Sequence, residues 1–206
     1  ALIHVLRCFD NDQLSHIDGT VDPVRDMETV DLELQVKDLE SVEKKIEKLG
    51  KAAKAGDKDA KKGLEVLGAV KEHLESFQSV RTAGIDPGDK KYFDDLFLLT
   101  AKPVMFVCNV DEASALYGND YVDRVREALA GQENEILVIA AGLESDIAEL
   151  EDLEDRRAFL QDAGLEEPGV NRLVRSAYSM LNLISFFTAG PKEVRAWTTR
   201  RGATAP

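Results

Sequence analysis

The sequence predicts an α/β fold in which a parallel sheet is interrupted by an inserted antiparallel helical hairpin. Three observations carry that expectation. Apolar runs of strand length occur at 1–9, 103–109 and 135–141; two long amphipathic seams lie between the first run and the second; and helical patterns alternate with strands after the second. A chain of 206 residues is long enough to bury a genuine core in one or two domains.

Residues 1–9 (ALIHVLRCF) have the length of a buried parallel strand. Residues 10–22 are polar, contain Gly19 and lead into Pro23, so they read as a loop. Beyond Met27 the period changes: Leu39, Val42, Ile46 and Leu49 step by three, four and three, as on one face of a helix. A second seam, Leu64, Leu67, Val70, Leu74 and Phe77, makes GDKDAKKG (56–63) the turn of a long helical hairpin. After a Gly/Pro break at 84–88, a further helix is expected over 90–100. VMFVCN (104–109) is a strand, 121–130 a helix and EILVIAA (135–141) another buried strand. A helix is expected from Pro168 to Leu181, and then two strands over 183–198 joined at AGPKE.

Charge is distributed unevenly. Acidic residues outnumber basic ones, 39 against 26, for a net charge of -13 that argues against uniform wrapping by nucleic acid. Residues 144–167 hold ten acids against Arg156 and Arg157, whereas Lys37 to Lys62 contains nine lysines against six acids. Any nucleic-acid contact is therefore expected to be local, and a solvated helix face is the competing reading of the lysines. No apolar run approaches the length of a bilayer span and no leader pattern precedes the first strand, so a cytoplasmic protein without a membrane partner is expected. Cys8 and Cys108, each inside an apolar run, read as two reduced core thiols, too few to hold a metal. The chain starts within an apolar strand and stops at ATAP, as expected of a fragment.

The stretch VMFVCNVDE (104–112) carries the chemistry. Ligands of open α/β sheets bind off the carboxyl ends of the strands, where Asn109 and Glu112 stand. Guanine-nucleotide domains place Asn-Lys-x-Asp here: the carboxylate accepts from guanine N1–H and N2–H2, and the amide braces N7 and the loop. This chain has Val110 for the Lys and Glu112 for the Asp. Adenine lacks those two donors, so a longer acid without the Lys no longer selects guanine. At the end of the next strand such domains carry Ser-Ala-Lys; here the residues are Ala141, Gly142 and Leu143, which leave backbone donors and a small opening. Alone, an Asn-x-x-acid after a strand is also an ordinary turn.

The surrounding motifs lift that ambiguity. HVLRCFDND, DPVRDMETVDLEL, GDKDAKKG, NVDE, LESDIAEL, AGLEEPGVNRL and LNLISFFTAGPKEVRAWTTRRGATAP together resemble the Obg-like ATPases of the YchF type, across the whole chain. The resemblance implies a Ras-like P-loop NTPase domain formed by 1–22 and 101–182, a helical, partly coiled-coil insertion over 23–100, and the beginning of a β-grasp TGS domain over 183–206. It implies a switch that binds and hydrolyses ATP, with GTP also accepted, and that associates with the ribosome in translation or stress responses, as a monomer.

Asn109, Val110, Glu112, Ala141, Gly142 and Leu143 are then the base-binding residues. His16, in LSHIDG, matches a mobile loop whose histidine positions the attacking water, whereas His4 and His73 read as structural. The Gly-rich phosphate loop, the Mg²⁺-binding switch and the DxxG motif of such proteins do not occur in this sequence, so Mg²⁺ would be held by residues outside it and the chain alone is expected to hydrolyse nothing. Lys51, Lys54, Lys58, Lys61 and Lys62 at the hairpin tip, with Lys192 and Arg195 in a second basic patch shared with Trp197, Arg200 and Arg201, are expected to contact the ribosome or its RNA, the outer face of a β-grasp sheet being the competing reading of the second patch. The alternative is a ribosome- or RNA-binding module in which nucleotide only gates conformation.

Overall fold

The computed structural model describes residues 1–132 and 134–204; Glu133 and the last two residues of the ATAP end lie outside the described residues. It divides into two compact units, Ala1–Val24 with Val104–Pro206, and Arg25–Pro103.

In the first unit, β1 (Leu2–Arg7), β2 (Val104–Asn109) and β3 (Glu135–Ile139) form a parallel sheet in the order β1-β2-β3. Leu2 lies opposite Val104 and Arg7 opposite Asn109, while Met105 faces Glu135 and Asn109 faces Ile139. As the middle strand, β2 is buried from Val104 through Cys108, which explains its unbroken apolar run. Met105, Val107 and Leu137 on one face are covered by Leu173, Ala177 and Met180. That cover stops short of β1. Ile3 and Val5, which were expected to be buried, are 49% and 62% exposed, because on this face β1 is an edge that nothing among the described residues covers. Leu6 and Cys8 lie on the opposite, buried face.

The second unit is the helical hairpin. The helix α1 (Pro23–Lys54) starts with Pro at its first position and runs antiparallel to α2 (Lys58–Glu75). Val42, Leu67, Val70 and Leu74 are buried along the seam, each contributing about 1.5–3 kcal/mol by leaving water. The turn is shorter than GDKDAKKG: Gly56 takes φ 97° and Asp57 caps α2 by accepting from the amides of Asp59 and Ala60, so the remaining residues already belong to α2. Gly63 brings that helix close to its neighbours: a Cβ there would meet Tyr92 and Leu49 at 3.2 and 3.3 Å.

Two expectations fail in this unit. Phe77 does not extend the seam: α2 ends at Glu75, and Phe77 adopts φ 56° with the Phe77 amide bonded to Leu74 O and the Gln78 amide to His73 O, which turns its ring out to 72% exposure. Nor do residues 90–100 form a helix. They make two 3₁₀ turns, Pro87–Tyr92 and Asp94–Leu96, broken at Phe97 with φ 50°. The cause is Asp38 on α1, a buried carboxylate that accepts from the amides of Leu99 (2.8 Å) and Thr100 (2.7 Å) and from the Thr100 hydroxyl (2.7 Å). With these bonds Leu99 and Thr100 lie in a bend and a turn, and their amides are taken by Asp38 instead of by a helix.

The first unit continues with α3 (Asp120–Ala128), capped by Asn119, whose Oδ1 accepts from the Val122 amide. Beyond β3 the strand ends earlier than expected: Ala141 opens α4 (Ala141–Glu149) and does not close the strand. The acidic block folds as α4 and α5 (Leu153–Asp162). A sixth helix, α6 (Gly169–Met180), leads to the antiparallel hairpin of β4 (Leu183–Ala189) and β5 (Val194–Arg200), in which Leu183 pairs with Arg200 and Ala189 with Val194. Among the described residues no helix is long and apolar enough to cross a membrane.

Candidate functional site

The carboxyl ends of β2 and β3 are tied to each other. Asn109 ends β2, and its Oδ1 accepts from the Ala141 amide at 3.0 Å. The Val110 amide donates to Ile139 O at 3.0 Å, and its side chain is 3% exposed, so Val110 joins the core and offers the site only backbone. Asp111 accepts from the Ser114 amide at 2.9 Å and closes a 3₁₀ turn over Glu112–Ser114. Glu112 opens that turn with its carboxylate exposed and without a hydrogen bond or ion pair among the described residues. The loop therefore presents one braced amide and one uncommitted acid.

Opposite stands the first turn of α4. Ala140, its N-cap, supplies no side-chain acceptor. Asn109 occupies the Ala141 amide, and the amides of Gly142 and Leu143 have no acceptor among the described residues, as first-turn amides of a helix lack intrahelical partners. Ala141 and Gly142 are exposed, whereas the Leu143 side chain is buried and contributes backbone alone. Behind them, Glu144 Oε1 accepts from the Gly169 amide at 2.6 Å. The Asn109 amide, the Glu112 carboxylate and the first-turn N–H groups of α4 all stand at the carboxyl ends of β2 and β3, a donor and acceptor set of the kind that reads the edge of a planar heterocycle. It offers no cluster of oxygens for a hard divalent cation.

His16 belongs elsewhere in the unit. The loop after β1 is hung on Arg7, which donates to Phe9 O (3.2 Å), Leu14 O (3.1 Å) and Asn11 O (3.3 Å). His16 Nδ1 accepts from the Asp18 amide at 3.2 Å, which in the neutral ring leaves the proton on Nε2. The loop encloses a cavity of about 540 Å³ lined by Arg7, Asp10, Ser15, His16, Thr20 and Tyr121 among others, and no base-site residue lines it. Tyr121 donates to Asp10 at 2.9 Å, and this bond raises the phenol above its ordinary pKa. Asn119 Nδ2 donates to Cys8 O at 2.7 Å and so fixes the root of the same loop. Beneath it Cys8 and Cys108 are both fully buried, and the Cys8 thiol is pushed far above the usual range by its hydrogen bond to Cys108 and by burial. They are inert core thiols.

The basic residues separate on inspection. Lys62 is ion-paired with Asp89 (3.5 Å) and Glu65 (3.6 Å), and Arg195 with Glu193 (3.0 Å). Lys51, Lys54, Lys58, Lys61 and Lys192 are exposed without an ion pair among the described residues. Lys51 and Lys54 close α1, where the helix dipole favours them, but Lys58 and Lys61 open α2, where it does not. Sequence reasoning missed Glu144 and its partner Gly169; the available signal was an acid in the first turn of a helix placed directly after a strand.

The chain is similar to known proteins along its whole length. Residues 183–206 match the family model YchF-GTPase_C, described as a protein of unknown function (DUF933). The whole chain is 46% identical to the ribosome-binding ATPase YchF of Haemophilus influenzae and 43% identical to that of Bacillus subtilis, covering 56% and 57% of those proteins. The solved structure of the Schizosaccharomyces pombe YchF GTPase superposes on the entire chain with a TM-score of 0.88 at 28% identity, over 56% of its own length. The parallel sheet, the inserted helical hairpin and the carboxyl-terminal antiparallel strands agree with that structure. The chain belongs to the YchF family and spans a little over half the length of the relatives it matches.

Proposed function

We propose that the protein is a nucleotide-dependent switch that binds and hydrolyses ATP, accepts GTP, and acts on the ribosome, with this chain supplying the base site and the partner-binding hairpin. The observation that carries the reading is the bridge from Asn109 Oδ1 to the Ala141 amide, which braces the loop while leaving Glu112 uncommitted. In this arrangement the amides of Gly142 and Leu143 donate to the ring nitrogens of the base. Val110, buried in the core, provides no cation over its face. Nothing in that set requires the two donors peculiar to guanine. His16 orients the attacking water through Nε2 once its loop closes.

Triphosphate and Mg²⁺ would be held by residues other than those of this base site, and the ion would supply neutralisation of the charge developing on the phosphates. The names of the relatives, ribosome-binding ATPase and GTPase, support both the activity and the partner. The test is binding and hydrolysis of ATP and GTP by the protein at the full length of its relatives. We expect ATP to bind at least as tightly as GTP, and this chain by itself to hydrolyse neither. A strong preference for GTP overturns the reading of the base site.

A second reading, a binding module gated by nucleotide, is favoured by the four unpaired lysines at the hairpin tip, Lys51, Lys54, Lys58 and Lys61. If these meet RNA phosphates, ribosome binding weakens as salt rises, and neutralising all four flattens the dependence by about three units of log slope. Salt-insensitive binding removes that role.

A further inference from the structure

We infer that Glu144 is a positioning residue for the base site: its carboxylate, held on the Gly169 amide, fixes the first turn of α4 so that the Gly142 and Leu143 amides face the base. The inference rests on the base-site reading given above.

A nine-residue helix is marginal by itself, and α4 begins at a residue, Ala140, that cannot cap it. Its first turn must therefore be set by tertiary contacts. Asn109 supplies one from the β2 side, through the Ala141 amide. Glu144 supplies the other, one turn along the same helix, through the 2.6 Å bond to Gly169. Leu143 and Ile147, both buried, anchor the helix face between them. With the two polar tethers in place the first turn has no freedom to rotate away from the opening.

The far end of the tether is equally specific. Gly169 is the first residue of α6, and its N-cap, Pro168, has no side-chain acceptor. The Glu144 carboxylate takes that place, a favourable position for an anion at the positive end of a helix. The approach is close: a Cβ on residue 169 would lie 2.9 Å from Glu144 Oε1 and 3.2 Å from Ile139, so the carboxylate would have to shift. Only about 10 Å³ of free space remains among Ala140, Leu143, Glu144 and Gly169, so the contact is closely packed. Arg172, in the same first turns of α6, donates to Val138 O at 3.0 Å and fixes α6 to β3. The tether therefore refers the base-facing amides to the sheet.

The experiment compares Mg-ATP with Mg-tripolyphosphate, which lacks a base, in the protein at the full length of its relatives. Glu144→Gln keeps the length and can accept from Gly169; Glu144→Asp keeps the charge and falls short. We expect Gln to stay within about twofold of the unmodified protein, and Asp to weaken ATP about tenfold while tripolyphosphate is unchanged. Gly169→Ala, which leaves the carboxylate intact and displaces it, has the same effect and decides the matter if Glu144→Asp does not fold. A purely structural role would lower the melting temperature and weaken both ligands by the same factor, or neither; either result overturns the inference. If the unmodified protein binds tripolyphosphate as tightly as ATP, the base-site reading itself fails.

Discussion

Two sides of the same three-stranded sheet are built in opposite ways at its carboxyl end. At β2 and β3 the chain is cross-tied within a few residues: Asn109 to Ala141, Val110 to Ile139, Asp111 to Ser114 and Glu144 to Gly169. At β1 the chain runs out into a polar loop that hangs on Arg7 and on the bond between Tyr121 and Asp10. Leu14 and Ile17, its apolar residues, are exposed and do not enter the core. On the reading proposed above, the difference separates two tasks. A site that chooses among planar bases needs fixed donors, whereas a group that orients water at one moment of a cycle needs a loop able to move.

The contrast can be broken from either side. The largest effect is expected at the loop: His16→Ala lowers kcat for ATP about 100-fold and leaves the affinity nearly unchanged, because it removes a group that acts on the attacking water. Single-turnover hydrolysis by the full-length protein measures this, and a loss of affinity with kcat retained would move His16 into the binding site. At the braced end, Asn109→Ala removes the tie to Ala141 and leaves that amide unpaired. We expect ATP to bind about tenfold more weakly, seen in titration, with little change in the rate of bound ATP.

The smallest effect concerns pH. The Tyr121 phenol titrates above its ordinary value because its proton is shared with Asp10. The neutral form is the one favoured by folding, so the bond contributes fully below the unfolded value, about 10, and is lost as pH rises through the higher folded value. The loop should loosen only in alkaline solution. In Asp10→Asn the Tyr121 ring carbon signal should titrate closer to the ordinary tyrosine value, and an unchanged titration would dissociate the two residues.

What could be read in the sequence was whatever a residue's neighbours along the chain decide. Val104–Asn109 was legible because a middle strand is apolar on both faces, and the hairpin because its seams repeat every three or four residues. Distant partners overrode local pattern elsewhere. Residues 90–100 carry a helical rhythm, yet Asp38 takes the amides of Leu99 and Thr100 from more than sixty positions away. Ile3 and Val5 resemble buried residues, but their burial depends on how far the cover of β2 and β3 extends. Asn109 and Glu112, the residues of the proposed base site, stood out in the sequence because their spacing is local. Glu144 did not, since its role depends on Gly169, which is distant in sequence and adjacent in space. The hairpin lysines were visible as a group, but only the fold shows that Lys62 is already paired.

The central claim is that NVDE (109–112) is a base-reading loop whose preference is set by Glu112. It is tested most directly by Glu112→Asp in the full-length protein, with the ratio of GTP to ATP affinity as the measurement. The account predicts a shift of that ratio toward GTP by about tenfold or more, because the shorter acid meets guanine N1–H and N2–H2. A ratio that does not move, with the variant folded and binding nucleotide, would contradict it.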